Sequence, residues 1–355
     1  MTEPMNPVSP ADRDAAIRSF WTWWNSEGAE ALDQLFVGGG ELDVQAEIGP
    51  RVAAVDPRLT WGFGPGGDYS RHLFTVTAGG DPELRPTARR FLLGAPEDGE
   101  TWSFSDLRRA DPSASITWAG QTLEPSDASV EIMRGSTTVG VRLHHPYFAE
   151  ILAEVEDLPE DDQDRVEAAE HAVTEIGFML LQMALGEEAF GLWISQVVFA
   201  KDLPEEAVPL SELPEVVADV ADTCPTWYGM EGVNSDRPVH VTARGPLSPL
   251  VDPILTRHIV VQLLFTDVDD EGLPGKESTE SLDRIGRAMA ESQQEDGVFV
   301  GAETSDGVRL LHFYVDPESD AEQRLLDLTS TWTEGEVATD SEDDPAWLRV
   351  SHLRA

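Results

Sequence analysis

From His258 onward, apolar and polar positions repeat in blocks whose period switches between two and about 3.6, the strand and helix periods. His258 to Phe265 alternates, with Ile259, Val261, Leu263 and Phe265 on one side and His258, Val260, Gln262 and Leu264 on the other. Within Ser278 to Ser292, Leu282, Ile285 and Met289 recur at helical spacing. Val298 to Ser305 and Val308 to Val315 flank Asp306-Gly307. Asp-Gly between two alternating runs signals a tight hairpin, because both central residues of a type I′ turn need positive φ. A two-residue loop sets Ser305 opposite Val308, Ala302 opposite Leu311, Val300 opposite Phe313 and Val298 opposite Val315. One face is then apolar (Val298, Val300, Ala302, Leu311, Phe313, Val315), and the other carries Phe299, Gly301, Glu303, Leu310, His312 and Tyr314. After Pro317, Ser319-Asp320-Ala321-Glu322 has capping-box spacing, and Ala321, Leu325 and Leu328 form the stripe of a second helix. A last strand falls on Glu336 to Thr339, on Trp347 to Ser351, or on both around acidic Asp340 to Asp344.

The order strand, helix, strand, strand, helix, strand is the split βαβ, or ferredoxin-like, arrangement. The expected fold class is α+β: a ferredoxin-like βαββαβ domain over 254–355, preceded by a larger α+β domain over 1–222. Residues 223–253, rich in Pro, Gly and Arg, read as a linker or connection. Both helices of the C-terminal unit should pack on its apolar face, leaving the second face open or covered by the rest of the chain.

The N-terminal part begins with an aromatic stripe: Ile17, Phe20, Trp21 and Trp24 fall at i, i+3, i+4 and i+7 of a helix over Pro10 to Asn25, and Trp23 lies off it. Helices continue over Glu30 to Val37 and Leu42 to Val55. Strands follow near Leu59 to Phe63 and Arg71 to Thr77, a helix over Asp81 to Leu93, and strands near Thr101 to Ser105, Ser115 to Trp118, Ala128 to Met133 and Thr138 to His144. A helical region runs from Pro146 to about Leu185, then a strand over Phe190 to Ala200 and a helix over Leu210 to Asp222.

The sequence carries 67 acids against 24 bases, a net charge of −43. From Ser235 onward 25 acids face 10 bases, net −15, and the preceding part contributes −28, so both parts are acidic. Such a surface repels phosphate backbones and anionic lipids, which disfavours direct nucleic-acid and membrane binding, and it attracts a basic protein partner. The single cysteine, Cys224, excludes an internal disulfide, and Met1 to Arg18 lacks the apolar run of a signal peptide, so a cytoplasmic location is expected.

Candidate chemistry is sparse. Gly62-Phe63-Gly64-Pro65-Gly66-Gly67-Asp68 is glycine-rich but lies between two strands and lacks the phosphate-binding lysine, so a hairpin loop is expected. Asp267-Val268-Asp269-Asp270-Glu271-Gly272 imitates the first half of a calcium loop, yet position twelve is Ser278 and Pro274 intervenes, so a solvated turn is expected. His144 and His145 would have to converge with His171 and Glu175 to hold a metal, and adjacent strand residues point to opposite faces. Cys224 lacks a histidine partner pattern and reads as an inert thiol, and acidic pairs such as Glu187-Glu188 are too common here to mark a glycosidase. No catalytic residue, cofactor or metal is expected.

The acidic turn Asp269-Asp270-Glu271-Gly272-Leu273-Pro274, then Val300-Gly301-Ala302-Glu303-Thr304 and Leu311-His312-Phe313-Tyr314-Val315, resemble the bacterial domain of unknown function 695 over roughly the last hundred residues. The resemblance implies a ferredoxin-like fold in a bacterial protein and no established activity. Related ferredoxin-like bacterial proteins include an acidic regulator that inhibits ribonuclease E, an analogy of fold and charge only.

One constellation remains. With the first and third strands adjacent, His258 and Gln262 lie beside His312 and Tyr314, with Glu303 and Phe299 from the second strand. These six residues are the candidate binding face. The expected function is a non-catalytic protein-binding or regulatory module of inhibitor or immunity type; the alternative is an enzyme or small-molecule binder with a pocket between the two domains.

Overall fold

The computed structural model describes residues 8–67, 69–155, 162–234 and 236–354, in which three hydrophobic cores follow one another along the chain and a fourth lies on the opposite face of the last sheet. The first grows from the aromatic stripe. Helix α1 (Pro10–Trp23) starts at Ser9, whose side chain accepts from the Asp12 amide, and continues through a π-helical turn (Trp24–Gly28) into α2 (Ala29–Phe36). Next come α3 (Val44–Ala53), β1 (Thr60–Pro65), β2 (His72–Thr77), α4 (Arg85–Leu93) and β3 (Trp102–Ser105). The sheet runs β1-β2-β3, with the last pair parallel. Trp24 stacks on Phe74 at 5.0 Å and Phe20 meets Phe91 at 4.8 Å. Trp23, off the stripe, instead carries the Arg51 guanidinium 4.2 Å above its ring, a cation–π contact.

The second core lies under a sheet of order β8-β7-β6-β9. Its elements are the ribbon β4 (Ile116–Trp118) and β5 (Gln121–Leu123), β6 (Ser129–Arg134), β7 (Val139–His144), α5 (Pro146–Ala153), α6 (Gln163–Trp193), β8 (Ile194–Ala200), β9 (Val208–Pro209) and α7 (Leu213–Thr223). The strand expected from Phe190 starts only at Ile194: α6 breaks at Gly186, where φ is 77°, and resumes as helix to Trp193. A side chain at Gly186 would meet the Ala110 amide at 2.9 Å, and positive φ favours glycine, so the kink lets 108–110 pass close to the helix. Residues 1–222, expected as one α+β domain, therefore contain two separate cores.

The third unit comprises β10 (Trp227–Asn234), β11 (Arg237–Arg244), β12 (Arg257–Leu264), α8 (Lys276–Ser292), β13 (Gly297–Ser305), β14 (Val308–Val315), α9 (Ala321–Thr329) and β15 (Val337–Asp343). The sheet order is β10-β11-β13-β14-β12-β15, so from β12 onward the strands lie second, third, first, fourth, each antiparallel to its neighbour. Helices α8 and α9 bury Leu282, Ile285, Met289 and Leu325 against Ile259, Val261, Leu311 and Phe313.

Four sequence expectations change here. Residues 223–253 are largely the hairpin β10–β11, which pairs with β13 and widens the sheet, because Val239, Val241 and Ala243 supply a strand period the Pro and Gly residues obscure. The hairpin register holds from Ser305–Val308 to Gly301–His312 and then slips: a bulge sets Phe299 opposite Phe313 and Val298 opposite Tyr314. The extra residue turns Phe299 to the helix face and Val298 and Val300 to the other, reversing the expected assignment beyond the bulge. Trp347 to Ser351 is no strand; Leu348–Leu353 is a 3₁₀ helix, and β15 includes most of the stretch expected as an acidic loop. The capping box is not formed. Ser319 Oγ accepts from the Ala321 amide at 3.2 Å, while Glu322 reaches Arg257 at 3.4 Å.

The added hairpin makes β13 an interior strand, so a fragment of 225–355 should unfold cooperatively. A fragment of 248–355 exposes the β13 edge and should aggregate. Size-exclusion profiles and near-UV dichroism of the two compare them; equal behaviour would show that β10 and β11 are dispensable.

Candidate functional site

The second face of the third sheet gathers most of the residues expected to bind. Two covers close it: the 3₁₀ helix at Leu348–Leu353 with the preceding Trp347, and the segment carrying Leu247 and Leu255. Trp347, Val350 and Leu353 recur every three residues, the 3₁₀ repeat, so all three point at the sheet and are buried. Trp347 lies parallel to Tyr314 at 4.2 Å, and its Nε1 donates to the Leu255 carbonyl at 2.9 Å. The face expected to be open, or covered by the N-terminal domain, is thus sealed by the C-terminal unit itself.

Under this cover the polar groups satisfy one another, as buried polar atoms must. His258 and His312 are 5% and 4% exposed, with His258 Nε2 at 3.1 Å from His312 Nδ1. His312 Nε2 lies 3.1 Å and His352 Nε2 3.0 Å from the same Glu303 oxygen. With Glu303 ionised, His312 donates from Nε2, and its Nδ1 is left to accept from His258. Hydrogen bonding to His312 holds the Glu303 carboxyl down at about 2, whereas burial, seconded by the neighbouring His312, pushes His258 down to about 4. Tyr314, fully buried, donates to Asp344 Oδ2 at 2.6 Å; burial first and that carboxylate second push its phenol well above the usual range. The same Asp344 accepts from the Leu348 and Arg349 amides at 2.9 and 2.8 Å, so it joins the sheet to the start of the 3₁₀ helix.

Four of the six candidate residues, His258, Glu303, His312 and Tyr314, are thus brought together as a network and not as an exposed platform, buried except at its edge, where the Glu303 and His352 side chains are 22% and 54% exposed. Gln262 is half-buried, opposite Leu310 and Ala338 on the neighbouring strands. Phe299 leaves the group altogether: the bulge places it on the helix side, against Phe313 at 5.3 Å and Trp227 at 5.4 Å.

The other sequence candidates stay apart. Gly66 and Gly67 turn between β1 and β2 as a hairpin loop, with Asp68 outside the described residues. In the acidic turn, Asp269 accepts from the Glu271 and Leu273 amides, and Asp267 from the Glu277 amide at the start of α8, so its oxygens serve the turn and the helix end. His144 contacts the Ala200 carbonyl at 3.2 Å, His145 caps α5 through the Tyr147 amide, and His171 pairs with Glu175 on the exposed face of α6. Among the described residues no group of three or more His, Cys, Asp or Glu side chains is placed to hold a metal ion. Burial pushes the Cys224 thiol up, away from reactive thiolate. Glu187 is buried and links the first two units, accepting from Thr77 Oγ1 at 2.7 Å and the Arg108 amide at 3.0 Å.

A cleft opens where the three units meet, lined by Thr77 and Arg85 of the first, Glu187 and Phe190 of the second, and Leu250 and Arg354 of the third; the alternative sequence reading expects a pocket between two domains but names none of these residues. No local pattern announces it, because its residues are separated by more than two hundred positions.

Residues 236–349 match the model of a family of unknown function, DUF695, which places the resemblance read from the sequence on the C-terminal part, from the end of the β10–β11 turn to the 3₁₀ helix. No curated protein and no solved structure matches the chain. Among the described residues no helix is long and apolar enough to cross a membrane.

Proposed function

We propose that this is a cytoplasmic bacterial protein-binding or regulatory module, non-catalytic and of inhibitor or immunity type, which presents a polyanionic surface to a basic protein partner. In this reading the third unit is a ferredoxin-like domain widened by one hairpin. The observation that supports it is where the few bases go. Arg13, Arg58, Arg71, Arg90, Arg244 and Arg257 each lie within ion-pair distance of a carboxylate, so positive charge is cancelled locally. The excess carboxylates of a chain at −43 then set the outer potential, which steers cationic surfaces toward it.

Capture from a bacterial lysate on the immobilised protein, without cross-linking, should return partners of high isoelectric point. Raising salt from about 0.1 to about 1 M, where the screening length falls from about 10 to about 3 Å, should release them. Partners that are neutral or acidic, or that resist salt, would contradict the electrostatic reading.

A further inference from the structure

We propose that the basic partner engages the free edge of β10, where an extended segment of it pairs with the sheet as an added strand. This rests on the acidic-surface reading and names where on the chain it acts. Among the described residues β10 pairs with β11 alone, so the main-chain donors and acceptors on its outer side have no strand to meet.

The two edges of this sheet differ. β15, at the other end, carries Asp340, Glu342 and Asp343 among its seven residues, and such charge keeps a sheet edge from pairing. β10 carries one charge among eight residues, Glu231, and exposes Trp227 at 42% and Val233 at 75%. Gly229 and Gly232 add to the contrast. Neither has positive φ, and a Cβ would meet only the Val241 carbonyl, at 3.8 Å, at the first and nothing within 4 Å at the second. The fold of this chain does not require glycine there, and glycine inside a strand leaves room for another backbone to approach.

Charge sets the occupant. Where β10 turns into β11, Asp236, Asp269, Asp270, Glu271 and Asp306 are exposed. The base among them, Arg237, donates to the Asp270 carbonyl at 3.1 Å and lies 3.6 Å from Asp306. By alternation Glu231 shares the helix side of β10 with Trp227, whose ring stacks on Phe299, while Tyr228 and Met230 lie half-buried on the other side. A strand of alternating basic and apolar residues fits this edge. Its cations meet Glu231 and the Trp227 ring, and its apolar side chains extend the row of Tyr228 and Met230.

The test uses the full chain and a peptide alternating lysine and valine, eight residues long like β10. Its control is the same peptide with every second amide N-methylated, which keeps the charge and removes strand donors. At about 0.1 M salt the first peptide should bind with Kd below about 100 µM, and the control about tenfold more weakly or worse. Hydrogen exchange followed by mass spectrometry should slow in Trp227–Asn234 when the peptide is added. Glu231→Lys, at an exposed position, should weaken binding about tenfold with near-UV dichroism unchanged. No binding at about 1 mM, equal affinity of the two peptides, undiminished affinity in the variant, or slowing confined to another segment would overturn the edge assignment and leave the acidic-surface reading standing. Neutral or acidic partners in the lysate capture would overturn that reading, and this inference with it.

Discussion

Trp347→Ala should lower the unfolding free energy of the third unit by about 3–5 kcal/mol, as expected for removing a fully buried large aromatic. The indole is 1% exposed, stacks on Tyr314 and satisfies the Leu255 carbonyl, so its loss opens a cavity and orphans a buried acceptor at once. Leu348→Ala, at a side chain that is 66% exposed, should change stability by less than about 0.5 kcal/mol and serves as the control. Urea unfolding followed by tryptophan fluorescence and near-UV dichroism measures both. Three cores imply more than one transition, so the comparison belongs to the transition of the third unit. Equal midpoints for Trp347→Ala and the native chain would show that the 3₁₀ helix does not cover the sheet.

The second large effect is acid destabilisation through His258. Its ring has an ordinary value of 6.5 and is held down at about 4 in the fold, so the unfolded chain binds this proton first as pH falls. The stability it contributes is fully present above pH 6.5 and is lost as pH falls through the window from 6.5 to about 4, amounting to about 3 kcal/mol. Glu303, ordinarily 4.5 and held at about 2, extends the loss through the window from 4.5 to about 2. Urea midpoints should be flat from pH 8 to about pH 7 and should drop steeply towards about pH 4. His258→Gln, which can still donate to His312, should lose most of the slope between about pH 6.5 and 4.5. An unchanged slope in the variant would place the proton elsewhere.

The legibility of this chain follows from where local pattern decides structure. Asp306-Gly307 adopts positive φ at both residues, 47° and 77°, and the register next to it is as the turn dictates. The bulge farther along was hidden because Val298, Phe299 and Val300 are all apolar, so either face accepts either residue and period two carries no information. Gly301 marks the spot: a Cβ there would lie 2.8 Å from the Thr242 carbonyl, a contact with β11, which lies in the stretch whose composition reads as a linker or connection. The cover over the sheet was legible in principle, since Trp347, Val350 and Leu353 repeat every three residues, and a test for periods of two and 3.6 passes over that spacing. The aromatic stripe of α1 was plain, because four apolar positions at helical spacing leave one solution. How the two N-terminal cores join depends on contacts such as Thr77 to Glu187, 110 positions apart, which no window in the sequence contains.

The unit interfaces reinforce that point. Arg13 grips Glu318 through two 2.8 Å bonds and Arg90 holds Asp316 at 2.7 Å, tying α1 and α4 of the first unit to the loop before α9. These pairs use carboxylates that composition alone assigns to a uniform acidic surface.

The central structural claim is that the polar and aromatic face of the third sheet is sealed core, and the histidine rings report on it directly. Long-range ¹H–¹⁵N NMR of the full chain, recorded from pH 8 downward, follows the protonation of each imidazole. The account predicts that the His258 ring nitrogens stay in the neutral pattern down to about pH 5 and titrate only towards about 4, with His258 and His312 in slow exchange with solvent. A His258 midpoint near 6.5 in the folded protein, with rapid solvent exchange, would contradict it and return this face to the role of an open binding surface.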